Sequence, residues 1–89
     1  MHEEAMVRDL RAKFVELGRE RPSERIVRVS MWVGALSHLT APELSSLWEK
    51  VTEGTPAEGA QLSVEASGDL HDPRAHGIVL RDVTFRGGP

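Results

Sequence analysis

The chain has 89 residues and a net charge of −3, and its 28% charged and 39% hydrophobic residues are typical of one small globular domain. It has no cysteine, which excludes disulfide bonds, thiol nucleophiles and thiolate zinc sites within these residues. Its cations are interleaved with acids and it shows no signal segment or apolar span, so we expect a cytoplasmic protein without nucleic-acid or membrane partners.

The first predicted element is an amphipathic helix over residues 3–17. Its apolar residues recur at spacings of three and four, which places them on one helical face. They are Met6, Val7, Leu10, Phe14 and Leu17. Gly18 is predicted to end this helix, and the polar run 19–23, with its proline, to form a linker.

Residues 25–34 alternate as a strand does. The face predicted to be buried holds Val27, Val29, Met31 and Val33, and the other face holds Ile26, Arg28, Ser30 and Trp32. Trp32 is out of place on a partly wet face. It either covers the sheet edge or, exposed beside Arg28, forms a patch that docks a partner.

A second helix is predicted after Thr40. Thr40 and Glu43 have the spacing of a capping box, and Pro42 stands in the first turn. The apolar stripe of this helix consists of Leu44, Leu47, Trp48 and Val51. Gly54 is predicted to end the helix, and Trp48 to anchor the core.

Two further strands are predicted, over residues 60–66 and 78–85, with a loop over 67–77 between them. The alternation of the last strand changes phase, and a bulge near Arg81 and Asp82 would restore a common buried side. The order α-β-α-β-β predicts an α+β two-layer sandwich, with two helices on one face of a three-stranded sheet. We expect one domain over residues 1–86, with 87–89 frayed.

The start Met1-His2-Glu3 is the first candidate metal site. The α-amine of Met1 with the backbone and imidazole nitrogens of His2 can close two fused rings on one ion, and the Glu3 backbone nitrogen would complete a set of four. Square-planar nitrogen sites favour Ni(II) or Cu(II). Taken alone, a histidine at position 2 is usually an exposed terminal residue, and acids in a first helical turn stabilise the helix whatever its function.

His71 and His76 are the second candidate, since a metal could bridge the two imidazoles if their loop curls. The Asp72-Pro73 step and the flanking glycines already explain this segment as a turn. No nucleophile, acid and base form a readable catalytic set, so we do not expect an enzyme.

At this point the chain resembles the HypA/HybF family of nickel metallochaperones in [NiFe]-hydrogenase maturation. The resemblance rests on the start MHE, the runs RIVRV at 25–29 and VGALS at 33–37, the helix start PEL at 42–44, and VTEGTPAEGA at 51–60. It covers residues 1 to about 66 and resumes at 78–85. It implies Ni(II) binding at His2 with Met1 and Glu3 beside it. It also implies delivery, with a nickel-inserting GTPase, to the hydrogenase large subunit or, in some members, to urease.

The chain departs from the family between its last two strands. Family members normally carry a zinc ribbon with two Cys-x-x-Cys pairs there, whereas this chain has the segment 67–77 and no cysteine. We therefore expect nickel binding without zinc. The alternative is a metal-independent protein-interaction module that kept the family fold and lost nickel delivery.

Overall fold

The computed structural model describes residues 2–87, and of His2 and Glu3 the backbone alone. Helix α1 spans His2–Glu20 and is followed by strand β1 (Glu24–Val33), helix α2 (Ala41–Thr52), strand β2 (Gln61–Ala66) and strand β3 (Ile78–Gly87). The predicted α+β class and element order are confirmed. Across residues 2–87 no helix is both long and apolar enough to cross a membrane.

β1 is the central strand of the three-stranded sheet, whose order is β2-β1-β3. β2 pairs with it in parallel, from Arg28↔Gln61 to Val33↔Ala66, and β3 pairs with it antiparallel. A parallel neighbour needs a crossover, and α2 provides it. Side chains of both helices pack in one core with Ile26, Val29, Met31 and Val33 of β1, so the two helices lie on one face of the sheet, and no helix of the described residues covers the other face.

The core lies between the helices and the sheet. Its largest fully buried side chains are Phe14, Ile26, Met31, Leu44, Val29 and Val51. Trp48 meets the Phe14 ring edge-on at 5.7 Å between centroids, and its Nε1–H donates to the Ala60 carbonyl at 2.9 Å. The indole thus packs with its polar atom satisfied, as a core anchor must.

The bulge predicted near Arg81 and Asp82 is confirmed. The β1–β3 register passes from Ser30↔Asp82 to Met31↔Leu80, so Arg81 is the extra residue of β3. An extra residue shifts the alternation by one position. The apolar residues on both sides of it therefore pack on the same core.

A second irregularity corrects the predicted faces of β1. The register shifts between Ile26 and Arg28, which leaves Val27 without a partner in β3. Ile26 is consequently buried with Val29 in the core, whereas Val27 is only half-buried. Simple alternation placed these two neighbours on the wrong sides because it assumed an unbroken ladder.

The prediction that Gly18 ends the first helix is wrong, since α1 continues to Glu20. A Cβ at Gly18 would overlap Pro56 Cγ and lie 3.0 Å from Pro56 Cβ. The glycine therefore allows α1 to approach the segment after α2 closely. Its role is packing between elements.

The capping box predicted for α2 is present. Thr40 Oγ1 accepts from the Glu43 backbone N–H at 3.2 Å, and Glu43 Oε1 accepts from the Thr40 N–H at 2.9 Å. The hydrogen bonds from Thr40, first that of its backbone N–H, lower the pKa of Glu43 from its ordinary 4.5. The folded-state pKa lies below the unfolded one, so ionised Glu43 stabilises the fold above pH 4.5 and the contribution is lost as the pH falls.

Glu43→Gln should therefore flatten the acid limb of the stability curve. The amide still accepts from the Thr40 N–H but no longer titrates, so the wild-type advantage at neutral pH should shrink progressively as the pH falls below 4.5. Urea unfolding at several pH values measures this, with Glu49→Gln, an exposed acid of the same helix, as control. A constant difference between wild type and Glu43→Gln at every pH would contradict the assignment.

Candidate functional site

The predicted metal site stands at the start of α1, whose first residue is His2. Met1 and the side chains of His2 and Glu3 lie outside the described residues, so the ligand set remains a prediction. The first N–H groups of a helix have no intrahelical acceptor. The backbone nitrogens of His2 and Glu3 can therefore enter a metal complex without breaking a helical hydrogen bond.

α1 is fixed to the rest of the domain just behind that start. Val7 is buried in the core, and Arg11 Nη1 donates to the Lys50 carbonyl at 2.9 Å, in the last turn of α2. A cation at a helix C-terminus is favourable, because the last carbonyls lack intrahelical donors and carry partial negative charge. The start of α1 thus belongs to a helix that is held against the core and against α2 within its first eleven residues.

The segment 67–77 is an ordered connector built from side-chain-to-backbone hydrogen bonds. Ser67 Oγ accepts from the Asp69 N–H at 3.1 Å, and Asp69 Oδ1 accepts from the His71 N–H at 2.9 Å. Asp72 Oδ1 accepts from the Arg74 N–H at 2.8 Å. The Arg74 side chain donates to the same oxygen through Nε at 3.4 Å, and the two hydrogen bonds, first the backbone one, lower the pKa of Asp72. The turn is a local product of its Ser and Asp residues.

The connector closes over the end of β1. The Leu36 N–H donates to the Ala75 carbonyl at 2.7 Å, and the Gly34 N–H donates to the Gly77 carbonyl at 2.9 Å. The Arg74 guanidinium lies 4.9 Å from the centroid of the Trp32 ring, which is only 7% exposed. An exposed docking patch at Trp32 is therefore wrong, because Arg74 covers the ring in a cation–π contact.

His71 and His76 are both exposed on this connector. Within the described part of the chain, no three His, Asp or Glu side chains come together as a metal site. Asp69 and Asp72, the carboxylates beside the histidines, already accept backbone hydrogen bonds. The structure thus gathers no set of three ligands around these histidines, and their role as an extra ligand pair stays a prediction. His38, in the approach to α2, is exposed.

The run GTPAEGA at 54–60 connects α2 to β2 and is hydrogen-bonded to β1. Gly54 and Gly59 have φ of +73° and +82°, values that favour glycine. Thr55 Oγ1 donates to the Thr52 carbonyl at 2.7 Å and accepts from the Ala57 N–H at 3.1 Å, and the Pro56 carbonyl accepts from the Ile26 N–H. This run fixes the turn that delivers the chain to β2.

Sequence reasoning missed the roles of Gly34, Arg74 and Ala75. The contact of Arg74 with Trp32 joins residues far apart in sequence, and no spacing rule connects the two positions. A usable signal was the apolar Trp32 on a face expected to be wet, since a buried ring needs a cover.

The chain shares its first three quarters with a known family. Residues 1–69 match the family model described as "Hydrogenase/urease nickel incorporation, metallochaperone, hypA". The hydrogenase maturation factor HypA of Methanopyrus kandleri is 31% identical over 65 residues, 73% of this chain and 46% of that protein. The protein of the same name from Azorhizobium caulinodans is 34% identical over 64 residues, 72% and 57% of the two chains. This chain thus spans about half the length of these curated relatives.

Proposed function

The chain belongs to the HypA family, and from this premise we propose that it is a nickel-binding metallochaperone that binds Ni(II) through residues 1–3. The donors would be the Met1 amine and the backbone and imidazole nitrogens of His2, with Glu3 beside them. The role is delivery to [NiFe]-hydrogenase, with a nickel-inserting GTPase and the hydrogenase large subunit as partners. It is a cytoplasmic role and requires no catalysis by this chain.

The observation that supports the site best is that α1 begins at His2. The amide nitrogens of this first turn have no helical hydrogen bonds to lose. Two deprotonated amides would also balance the charge of a divalent ion at the positive end of the helix dipole. The helix behind the site lowers the ordering entropy that binding must overcome.

Zinc is not part of the proposal for these residues. Thiolates are absent, since the chain has no cysteine, and residues 67–77 connect β2 directly to β3. Cu(II) should bind the nitrogen set at least as tightly as Ni(II). Nickel specificity therefore has to come from metal availability and from the partner.

A titration of the untagged chain with Ni(II) tests the proposal. His2→Ala and an N-terminal extension by two residues should each weaken binding on the order of 100-fold or more, since loss of a second-shell partner alone costs 10–100-fold. The His71→Ala/His76→Ala variant, the matched control, should bind as wild type does. Affinity should fall as the pH drops below about 8 and again near 6.5, where amine and imidazole protonate.

Two other results of the Ni(II) titration would each favour a different interpretation of the chain. Equal binding by the wild type, His2→Ala and the extended chain would show the N-terminal site to be wrong and move the site to His71 and His76. No binding by any of them would favour the metal-independent interaction module, which the cysteine-free connector of residues 67–77 already suggests.

A further inference from the structure

The open face of the sheet carries a cluster of arginines where β1 begins and β3 ends. Arg25 and Arg86 are direct partners in the antiparallel ladder, and Arg28 pairs with Thr84 one step further along. Ile26 and Phe85, the neighbours of Arg25 and Arg86, pack on the core, so these arginines lie on the side away from the helices. All three arginines, here called the arginine cluster, are exposed.

The cluster holds like charges together without neutralising them. Side chains directly opposite in an antiparallel pair have Cβ atoms about 4.5–5.5 Å apart, and like charges there are destabilising. None of the three forms an ion pair with a carboxylate among residues 4–87. The polar contact of Arg28 is with Gln61 Oε1, at 3.5 Å.

The other end of the same face is neutralised. Arg81 Nη1 lies 3.1 Å from Glu65 Oε1, and Arg74 Nε lies 3.4 Å from Asp72 Oδ1. The chain as a whole is acidic, with a net charge of −3. The positive potential at the arginine cluster is therefore local, and it is not a consequence of an overall basic composition.

We propose that the arginine cluster is a docking surface for a carboxylate-rich segment of a partner protein. Guanidinium groups bind carboxylates in a bidentate geometry. A bound acidic segment would remove the repulsion between Arg25 and Arg86. Successive Asp or Glu residues on one side of an extended segment repeat about every 6–7 Å, which suits cations spread along two paired strands.

The face is poorly suited to nucleic acid. Single strands are held by bases stacked on exposed aromatic rings above a basic groove. Trp32 is 7% exposed beneath Arg74, and Phe85 packs on the core side, so the described part of this face presents no such ring. A protein segment that needs only positive charge on a flat surface fits better.

Binding of a fluorescein-labelled peptide of ten glutamates, followed by anisotropy in EDTA, tests this proposal independently of nickel. The variant Arg25→Gln/Arg28→Gln/Arg86→Gln should weaken binding about tenfold or more, the sum of three modest ion pairs. The matched control is Arg8→Gln/Lys13→Gln/Arg19→Gln, on exposed positions of α1. Each variant removes three positive charges and takes the net charge from −3 to −6.

The control should lose less than about twofold, because α1 lies on the opposite side of the sheet and salt screens exposed charges that are more than about 8–10 Å apart. Equal losses in both variants, no binding by the wild type, or tighter binding of a ten-nucleotide single-stranded DNA would each overturn the proposal.

A second measurement needs no ligand. In a double-mutant cycle at low salt, Arg25→Gln and Arg86→Gln should each raise the urea midpoint, and the second should add little once the first is made. The coupling should disappear in about 1 M salt, where the screening length is about 3 Å. A favourable coupling between the two arginines would overturn the repulsion on which the proposal rests.

Discussion

Replacing Gly34 by alanine is expected to lower the free energy of unfolding by about 3 kcal/mol. A Cβ at Gly34 would overlap the Ala75 carbonyl oxygen and lie 2.5 Å from its carbon and 2.7 Å from the Arg74 oxygen. These are backbone atoms, and the connector cannot retreat without losing its hydrogen bonds to residues 34 and 36. Urea unfolding measures the loss. A red shift of the tryptophan emission, to which Trp32 and Trp48 both contribute, should accompany the opening of the cover over Trp32.

Gly68→Ala is the matched control in the same connector. No heavy atom lies within 4 Å of its Cβ position, and its φ is not positive. Alanine there should leave stability unchanged or raise it by a few tenths of a kcal/mol, up to about 1, because it reduces the entropy of the unfolded chain. The same loss at both positions would mean that the connector is sensitive to any change and that contact at Gly34 is not the cause.

The second large effect is expected for Phe14→Ala, which should cost about 3–5 kcal/mol. The Phe14 side chain is completely buried and supports the edge of Trp48. Its removal leaves a cavity between the helices and takes away the partner of the ring that joins α2 to Ala60. A domain of this size is stable by about 5–15 kcal/mol, so the variant should be near its unfolding threshold at 25 °C.

Val15→Ala, one residue further along α1, is the control for that change. Val15 is 36% exposed, and alanine is the better helix former, so stability should stay within about 0.5 kcal/mol of wild type. Chemical denaturation at constant pH compares the two variants. A loss of less than about 1 kcal/mol in Phe14→Ala would mean that the core collapses around the cavity and that Phe14 is not essential to its packing.

Much of the fold could be predicted from local pattern. The capping residues Thr40 and Glu43 and the phase change at Arg81 are short-range signals, and each corresponds to a feature of the structure. The packing role of Gly18 and the burial of Ile26 could not be predicted from local pattern. The position of Gly18 is decided by contact with Pro56, and that of Ile26 by a register shift against β3. Both depend on parts of the chain that are distant in sequence.

Around the candidate site, too, local features could be predicted from the sequence and contacts between distant residues could not. The family turn at 54–60 was readable, because its glycines and Thr55 act within a few residues. The cover over Trp32 was not, because a cation–π contact carries no local spacing rule. The arginine cluster appears only when β1 and β3 are aligned, since Arg25 and Arg86 are unremarkable until the ladder places them opposite each other.

The central position of β1 sets the order in which the domain can assemble during synthesis. Both strands that flank β1 are made after it, so β1 leaves the ribosome with its two hydrogen-bonding edges unpaired. The second edge is closed only when residues 78–87 have emerged. Until then the unpaired edge of β1 in a nascent chain can pair with another chain. Pairing of β3, the last ten residues of the sheet, ends this exposure.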